Sequence, residues 1–403
     1  MGIKYYKIED VFTFLPKSKH KAGEGLDAGK YPFFTSSPEL TKYIDIAKYK
    51  GESLIFGTGG KASIHYAKFQ FSTSTDCIVI QAKDSNIIFV QYCYYYLKTN
   101  FQVIENGFHG AGLKHISKEY IKKIKIPIPY KDGKPDLLTQ KRIAKILSHT
   151  ETLIAKRKKS FQMLDEFVKA TFLEMFGDPV RNEKGWEKKL ISNVSSSRLG
   201  KMLDGSKFTG ENLKPYLKNS NVLWFHFDLE ELSQMDFEAN EQKEFELKYG
   251  DVLMCEGGEI GRCAIWKEEI EECYFQKAIH RIRLNNEIIS PEYFVFMFWR
   301  LTINGGLKKF TGTATISHLT SEKLKKIKIP VPPLPLQNQF AKIVEKTEAL
   351  KKQFKQSLQE LENLYGSLSQ KAFKSELDLI RVKIVEGQTG GPEQEVRFLE
   401  EAV

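Results

Sequence analysis

The sequence is poor in the residues that build disulfide frameworks and metal clusters. It has five cysteines, an odd number, and no two of them form a Cys-x-x-Cys pair. We therefore expect neither a disulfide scaffold nor a metal site, but free thiols in a reducing compartment. The cysteines are Cys77, Cys93, Cys255, Cys263 and Cys273.

Long apolar runs are also missing. No stretch of the sequence approaches the roughly 18 apolar residues that a membrane-spanning helix needs. The first residues include two lysines and lack the apolar core of a signal peptide. We therefore expect a cytoplasmic protein that makes no membrane contact.

Motifs typical of catalysis are lacking as well. An adenine methyltransferase is expected to carry an Asn-Pro-Pro or Asp-Pro-Pro sequence followed by an aromatic residue. The nearest sequence, Val331-Pro-Pro-Leu334, lacks the polar residue that would hold the adenine amino group. No motif places a histidine beside a nucleophile or a metal ligand. The histidines without such a motif are His65, His109, His115, His280 and His318.

What the sequence does have is length, core-forming residues and positive charge. A chain of 403 residues is too long for one ordinary hydrophobic core, so we expect two or three domains. A hydrophobic content of 41% with 28% charged residues is typical of a soluble globular protein. The net charge of +10 favours a polyanionic partner such as nucleic acid.

An eight-residue sequence, which we term the repeated phrase, occurs twice. It is Lys-Lys-Ile-Lys-Ile-Pro-Ile-Pro at residues 122–129 and returns at 325–332 with one substitution. Each copy is followed by a long helical pattern, so the chain is predicted to contain two copies of one unit. Proline neither donates a hydrogen bond to a β-ladder nor continues a helix. The phrase is therefore predicted to be an extended joint between a globular part and its helix.

The two globular parts agree in the order of their predicted elements. Residues 53–56 and 77–80 have the composition of strands, whereas 87–97 is apolar almost throughout and long enough for a buried helix. A glycine pair follows the first strand at 59–60, and the same order of strand and glycine pair returns within 250–258. Neither pair fits a phosphate-binding motif, so we expect tight turns or a close approach of the backbone to a ligand.

Two long helices are predicted from apolar residues that recur at every seventh position. The first extends from about residue 138 to 176, before Gly-Asp-Pro at 177–179, and the second from about 336 to 377. The two patterns superpose at a shift of 197 residues, polar positions included, so each helix is predicted to pack on the other. The first seam contains Leu147, Ile154, Phe161, Val168 and Met175, flanked by Ile146, Leu153, Leu164, Phe167 and Phe172. The second contains Phe340, Ile343, Thr347, Leu350, Phe354, Ser357, Leu361, Leu364 and Leu368.

This order of elements resembles the DNA-specificity subunit of Type I restriction-modification systems. The resemblance rests on the two repeated phrases and on the helix sequences, and it covers residues 1 to about 377. The helix sequences concerned are 140–147, 161–179, 337–344 and 370–377.

The resemblance implies an α+β fold with two globular α/β target-recognition domains. Two long helices separate them and form an antiparallel intramolecular coiled coil, in a pseudo-two-fold repeat. The expected boundaries are 1–135 for the first recognition domain, 136–179 for the first helix, 180–333 for the second domain, 334–378 for the second helix and 379–403 for a flexible tail.

The resemblance also implies a function. Each globular domain would read one half of a bipartite site in double-stranded DNA, and the coiled coil would set the spacer between the halves. The coiled coil would also dock two methyltransferase subunits and the restriction and translocase subunits. The chain itself would be non-catalytic and bind no cofactor, because S-adenosylmethionine and ATP would bind the partner subunits.

Base edges are read by polar and charged side chains, and phosphates are bound by positive charge. The loops after the two glycine pairs and several basic loops supply both kinds of residue. Glu259 would be repelled by phosphate but can accept a hydrogen bond from a cytosine amino group. His115 and His318 stand at matching positions in the two halves. Each is expected to support from below the loop that would contact DNA in its half. The candidates for DNA contact are Lys19, Lys21, Lys61, Ser63, His65, Lys114, Lys207, Glu259, Arg262, Lys277, His280, Lys308, Thr313 and Thr315.

Two alternatives remain open at the level of the sequence. The chain could carry its own DNA methyltransferase or nuclease activity, since scattered acidic residues satisfy loose nuclease motifs in almost any protein. It could also serve as the specificity subunit of a related Type IIB system, which would leave the fold and the DNA-reading role unchanged.

Overall fold

The structure is a computed structural model that describes residues 2–202, 209–311, 318–374, 376–377, 379 and 382. The chain divides into two compact units. Unit 1 comprises Met1–Lys158 and Gln356–Val403, and unit 2 comprises Lys159–Lys355. Most of the tail expected at 379–403 lies outside the described residues.

The strands of unit 1 are β1 (Gly2–Lys7), β2 (Phe12–Phe14), β3 (Tyr31–Phe34), β4 (Tyr43–Ile44), β5 (Ser53–Gly57), β6 (Ser63–Ala67), β7 (Ser72–Thr73), β8 (Cys77–Ala82), β9 (Phe108–His109), β10 (His115–Ile116), β11 (Lys125–Lys131) and β12 (Lys134–Pro135). Its helices are α1 (Ile8–Val11), α2 (Val90–Thr99), α3 (Gln102–Glu105), α4 (Lys118–Lys123) and the first part of α5 (Leu137–Phe176).

The strands of unit 2 are β13 (Lys188–Leu190), β14 (Ser195–Leu199), β15 (Leu213–Leu217), β16 (Ser233–Asp236), β17 (Val252–Cys255), β18 (Cys263–Ile265), β19 (Tyr274–Phe275), β20 (Ile279–Leu284) and β21 (Lys328–Pro330). Its helices are α6 (Ile191–Val194), α7 (Ala239–Phe245), α8 (Pro291–Ile303), α9 (Lys308–Thr311), α10 (Ser321–Lys325) and the first part of α11 (Leu334–Ala372). The rest of α5 belongs to unit 2, and the rest of α11 to unit 1.

The two units share one sheet topology. A four-stranded sheet has the order β2-β8-β5-β6 in unit 1 and β14-β20-β17-β18 in unit 2. Beside it, β3 pairs in parallel with β7, and β15 pairs in parallel with β19. The predicted duplication and the α+β fold class are confirmed.

The inner strands are buried along their whole length, which explains their apolar sequences. All residues of β5 and β17 are buried, because each strand lies between two others and both of its faces are covered. The apolar helix predicted at residues 87–97 is α2, and its counterpart in unit 2 is α8. Ser290 begins α8 by accepting a hydrogen bond from the backbone N–H of Tyr293, and Pro291 occupies the first helical position.

The proline-containing part of the repeated phrase forms a strand in both units, as predicted, whereas its first residues are the last residues of the short helices α4 and α10. β11 pairs antiparallel with β1 over the full length of β1, and β21 pairs antiparallel with β13. Pro127 and Pro129 are two residues apart, so the same edge of β11 lacks both N–H groups and the ladder to β1 stays complete on the other edge. After β11 the chain makes a tight hairpin to β12. Asp132 (φ 50°) and Gly133 (φ 76°) form its left-handed turn.

Each phrase is fastened to the apolar helix of its unit by a tyrosine. The Tyr92 hydroxyl donates to the Pro127 carbonyl at 2.8 Å, and the Tyr293 hydroxyl donates to the Pro330 carbonyl at the same distance. Burial raises the pKa of both phenols, so they remain hydrogen-bond donors at neutral pH. Each repeated phrase is thereby held by a tyrosine hydrogen bond as well as by the backbone hydrogen bonds to its neighbouring strand.

The long helices pack against each other within each unit. In unit 1, Glu151 of α5 accepts from the Tyr365 hydroxyl of α11 at 2.8 Å, and Lys158 pairs with Glu362 at 2.8 Å. The partner position on α11 falls as the position on α5 rises, so the segments run antiparallel. The same holds in unit 2, where Asp165 binds Lys351 and the ring of Phe172 lies 5.5 Å from that of Phe340.

The heptad pattern predicts too much burial on these helices. Leu147, Val168 and Phe172 are buried in the unit cores. Phe167, however, is 53% exposed, Leu350 43% and Leu364 49%. A helix that packs on only one partner buries a narrow stripe, so the other apolar positions stay in contact with water.

Among the described residues, no helix has the length and apolar character to cross a membrane. All five cysteines are buried free thiols.

Candidate functional site

The glycine pairs form equivalent turns at one end of the main sheet in each unit. The turn of unit 1 (residues 58–62) joins β5 to β6, and the turn of unit 2 (residues 256–262) joins β17 to β18. We term them the Gly-Gly turns. Gly60 (φ 81°) and Gly258 (φ 72°) both adopt the left-handed conformation that side chains rarely tolerate. The local backbone requirement therefore explains the second glycine of each pair.

A histidine lies beneath the first glycine of each pair, as predicted. A Cβ atom on Gly59 would come within 3.0 Å of the His115 ring, and one on Gly257 within 2.9 Å of the His318 ring. The His115 Nδ1 atom lies 3.1 Å from the Thr58 carbonyl. Only glycine leaves room for the ring at this distance, so each histidine supports its turn from below.

A second loop lies against each Gly-Gly turn, and it was missed by the sequence analysis. It follows the parallel strand of each unit, at residues 35–37 after β3 and 218–221 after β15. The Ser36 hydroxyl accepts weakly from the Gly59 N–H at 3.4 Å, and the Asn219 side-chain amide donates to the Gly257 carbonyl at 3.0 Å. The polar, turn-forming sequences Thr-Ser-Ser-Pro and Lys-Asn-Ser-Asn were the available signal.

Ser63 and Arg262 occupy the same place in the two units. Ser63 pairs with Gly57 across the strands, and the Arg262 carbonyl accepts from the N–H of Cys255 at the equivalent point. The Ser63 hydroxyl donates to the Ser36 carbonyl at 3.2 Å, and the Arg262 Nη2 donates to the Asn219 carbonyl at 3.0 Å. Both side chains therefore tie the second loop to the sheet.

The residue after the left-handed glycine differs in charge between the units. It is Lys61 in unit 1 and Glu259 in unit 2, and both are exposed. Glu259 Oε1 accepts from the Trp224 indole N–H, and Oε2 accepts from Arg262 Nη1 at 3.2 Å. The carboxylate is thus held in place although half of it is exposed to solvent. The structure thus matches Lys61 with Glu259, since each follows the left-handed glycine of its turn.

In unit 1 the structure brings four candidate lysines to this end of the sheet. The Lys114 carbonyl accepts from the Gly60 N–H at 3.0 Å, which places Lys114 beside Lys61. The loop that carries Lys19 and Lys21 is bound through the His20 carbonyl to the N–H of Thr75, next to β8. All four lysine side chains are exposed. The result is a positively charged end surface suited to phosphate contacts.

In unit 2 the corresponding end surface is of mixed charge. Lys277 is exposed just before β20, and its backbone N–H donates to the Lys201 carbonyl at 2.8 Å. Lys308 begins α9, next to Leu307, whose side chain packs on Gly261 of the turn. Glu259 adds the negative charge. Lys207, Thr313 and Thr315 lie outside the described residues.

Three candidates turn inwards instead. Ser63 and His280 are buried, and His65 is partly buried with its Nε2 atom 2.8 Å from the Ser37 carbonyl. The His280 Nε2 atom lies 2.7 Å from the Leu319 carbonyl. Burial lowers the pKa of both histidines, because the imidazolium would lose its hydration. The structure gives these side chains roles inside the protein.

A family model described as "Type I restriction modification DNA specificity domain" matches residues 2–162 and again 183–363. The Type I restriction enzyme MjaVIII specificity subunit of Methanocaldococcus jannaschii is 26% identical over 268 residues, which cover 62% of this chain and 61% of that protein. The putative type I restriction enzyme specificity subunit S.HindORF215P of Haemophilus influenzae is 25% identical over 350 residues, covering 80% and 81%. The match therefore spans about three fifths of the length of the first relative.

Solved structures agree with the fold. A type I restriction-modification S subunit from M. genitalium has a TM-score of 0.61 at 16% identity, covering 92% of this chain and 96% of that chain. A second structure, from a study of complex assembly and conformational transition of the type I R-M system, has a TM-score of 0.55 at 15% identity, covering 93% and 98%. At these identities the likeness shows the fold alone.

Proposed function

The chain belongs to the Type I restriction-modification DNA specificity family, and from this premise we propose that it is a non-catalytic specificity subunit that reads double-stranded DNA. Each unit reads one half of a bipartite site with the end surface around its Gly-Gly turn. The observation that carries this proposal is the equivalence of the two turns, each supported by a histidine and flanked by a polar loop.

The chemistry of the two end surfaces supports DNA contact. Lys19, Lys21, Lys61 and Lys114 give unit 1 the positive charge that phosphates attract. The neighbouring loops add serine, asparagine and threonine side chains, which can hydrogen-bond to base edges. Ser63, His65 and His280 are left out of this surface because they bind backbone carbonyls of the protein.

The proposal is tested by exchanging one globular part. Residues 1–135 are replaced by the corresponding part of another specificity subunit, and sites bound by the assembled complex are selected from duplexes with a randomised segment. We expect one half of the selected site to change and the other to stay, since each unit has its own core. A change in both halves would contradict modular reading, and the unaltered chain is the control.

We also propose that partner methyltransferase subunits dock on the long helices. Met163 and Phe167 stand one turn apart on α5 and are 55% and 53% exposed. Two exposed large apolar side chains on one helix face are typical of a surface that a partner covers.

The docking proposal is tested with the double variant Met163→Ser and Phe167→Ser. We expect assembly with the methyltransferase subunits, measured by analytical ultracentrifugation, to weaken at least about tenfold. Phe69→Ser is the matched control, because Phe69 is 77% exposed on a turn outside the helices. Equal loss in both variants would count against a docking face on α5.

A further inference from the structure

The two Gly-Gly turns present side chains of opposite charge at the same structural position. In both units a glycine packs on a histidine, the next glycine is left-handed, and the residue after it is exposed. That residue is Lys61 in one unit and Glu259 in the other. Both side chains therefore follow the left-handed glycine of an equivalent turn.

The Glu259 carboxylate can accept further hydrogen bonds from a group outside the protein. Its two carboxylate oxygens each accept one, from Trp224 and from Arg262. A carboxylate oxygen has two lone pairs, so each oxygen keeps one for an outside donor. Half of the side chain is exposed to solvent, which leaves those lone pairs accessible.

The loop that carries Trp224 is itself anchored. Phe225 adopts a left-handed conformation (φ 71°), its N–H donates to the Cys263 carbonyl at 3.1 Å, and its ring lies 4.4 Å from that of Phe296 in α8. A bulky residue in this conformation is a strained feature that the surrounding packing must maintain. Trp224 is thus a positioning residue for the Glu259 carboxylate.

We propose that Lys61 and Glu259 each determine one base pair of the site, with Lys61 reading guanine in one half and Glu259 reading cytosine in the other. The proposal rests on the function proposed above and names the base edge that each turn reads. A lysine ammonium group only donates, which matches the O6 and N7 acceptors of guanine in the major groove. A carboxylate only accepts, which matches the amino group of cytosine.

The neighbouring atoms of the base edge decide between the two bases that carry an amino group. In adenine the N7 acceptor lies beside the amino group and would repel a carboxylate. Cytosine has no acceptor at the neighbouring position of its major-groove edge. Glu259 therefore favours cytosine over adenine, and a glutamine at the same place would favour adenine.

The test uses the full chain assembled with its methyltransferase subunits. Bound sites are selected from duplexes with a randomised segment and sequenced for the wild type and for Glu259→Lys, Glu259→Gln and Lys61→Glu. Lys50→Glu and Glu287→Lys are matched controls. Both are exposed and lie near the opposite ends of β5 and β20, away from the Gly-Gly turns.

We expect Glu259→Lys to change one position of one half-site from cytosine to guanine, with a preference of about tenfold or more. Glu259→Gln should shift the same position towards adenine, and Lys61→Glu should change one position of the other half-site. Trp224→Phe should reduce the preference for cytosine at the Glu259 position while leaving the melting temperature and the other half-site unchanged.

The outcomes separate this inference from the proposed function. If the wild type selects no sequence, the proposed function fails and the inference fails with it. If the wild type selects a bipartite site and the variants at residues 61 and 259 select the same one, only the inference is overturned. Should Glu259→Lys not fold, Glu259→Gln decides alone, because it keeps the shape of the side chain.

Discussion

The two units hold equivalent loops in place with different side chains. Ser63 and Arg262 share a strand position, and each donates to the backbone carbonyl of the flanking loop. Ser63 donates through a short side chain, whereas Arg262 also binds the Glu259 carboxylate through its second terminal guanidinium nitrogen. Arg262, which the sequence suggests as a base-contacting residue, is therefore bound mainly to groups of its own protein.

The buried position of His280 predicts that the stability of unit 2 depends on pH. Its Nε2 atom faces the Leu319 carbonyl, so the Nδ1 atom is the one without a proton, and it has no hydrogen-bond partner among the described residues. Burial lowers its pKa below the ordinary 6.5, although the Leu319 carbonyl acts in the opposite direction. The unfolded chain thus binds more protons than the folded chain just below pH 6.5.

We therefore predict that the contribution of His280 to stability is fully present above about pH 6.5 and is lost as the pH falls. His280→Gln keeps a nitrogen donor for the Leu319 carbonyl and removes the titration. Thermal melting between pH 7 and pH 5 should fall less steeply in this variant. His226→Gln, at an exposed histidine of the same unit, should keep the wild-type slope. Parallel slopes for His280→Gln and the wild type would exclude this role.

At the scale of elements, a buried glutamine joins each long helix to the apolar helix beside it. Gln140 in α5 accepts from the Phe89 N–H and donates to the Ile87 carbonyl. Gln337 in α11 accepts from the Ser290 N–H at 2.9 Å and donates to the carbonyls of Ile288 and Pro332. One side chain thus satisfies backbone groups at the start of α8 and at the end of the repeated phrase.

Gln337→Leu should destabilise the protein on the order of 3 kcal/mol, because it leaves several buried backbone groups without a partner. Urea unfolding measures this loss. Gln339→Leu is the control on the same helix, where the side chain is exposed and the change should stay within about 0.5 kcal/mol. Equal effects at both positions would mean that the buried hydrogen bonds contribute nothing to stability.

In the molecule as a whole, the duplication is what would let one chain read two half-sites, as proposed above. Each unit has its own core, its own sheet and its own Gly-Gly turn. The long helices contribute a segment to each unit and run antiparallel within it. A bipartite site with a spacer follows if these helices set the distance between the two halves.

Adding seven residues to each long helix should therefore lengthen the spacer. Seven helical residues span about 10 Å, which corresponds to about three base pairs. Selection of bound sites from randomised duplexes measures the length of the spacer directly. Seven residues inserted at the exposed Asp132-Gly133 turn are the control and should leave it unchanged. An unchanged spacer after the helix insertions would show that the helices do not set it.

The duplication, the extended joints after each globular part and the long helices could all be predicted from the sequence alone. These features depend on local physics: proline excludes helix, a buried strand is apolar throughout, and a seven-residue repeat predicts a packed helix. The predictions made from the sequence failed for residues whose burial depends on which face of a long helix is covered by another element. Phe167, Leu350 and Leu364 fit the heptad pattern, yet they are exposed because no other element among the described residues covers those faces.

Which residues of the two Gly-Gly turns correspond becomes visible only in the folded protein. Five residues separate Gly57 from Ser63, whereas six separate the matched positions Cys255 and Arg262. Counting along the chain therefore cannot show which residues share a strand position. Strand register and the packed histidines match Lys61 with Glu259 and Ser63 with Arg262. The loops after β3 and β15 are distant in sequence from the turns they touch, and such contacts form only when the sheet brings them together.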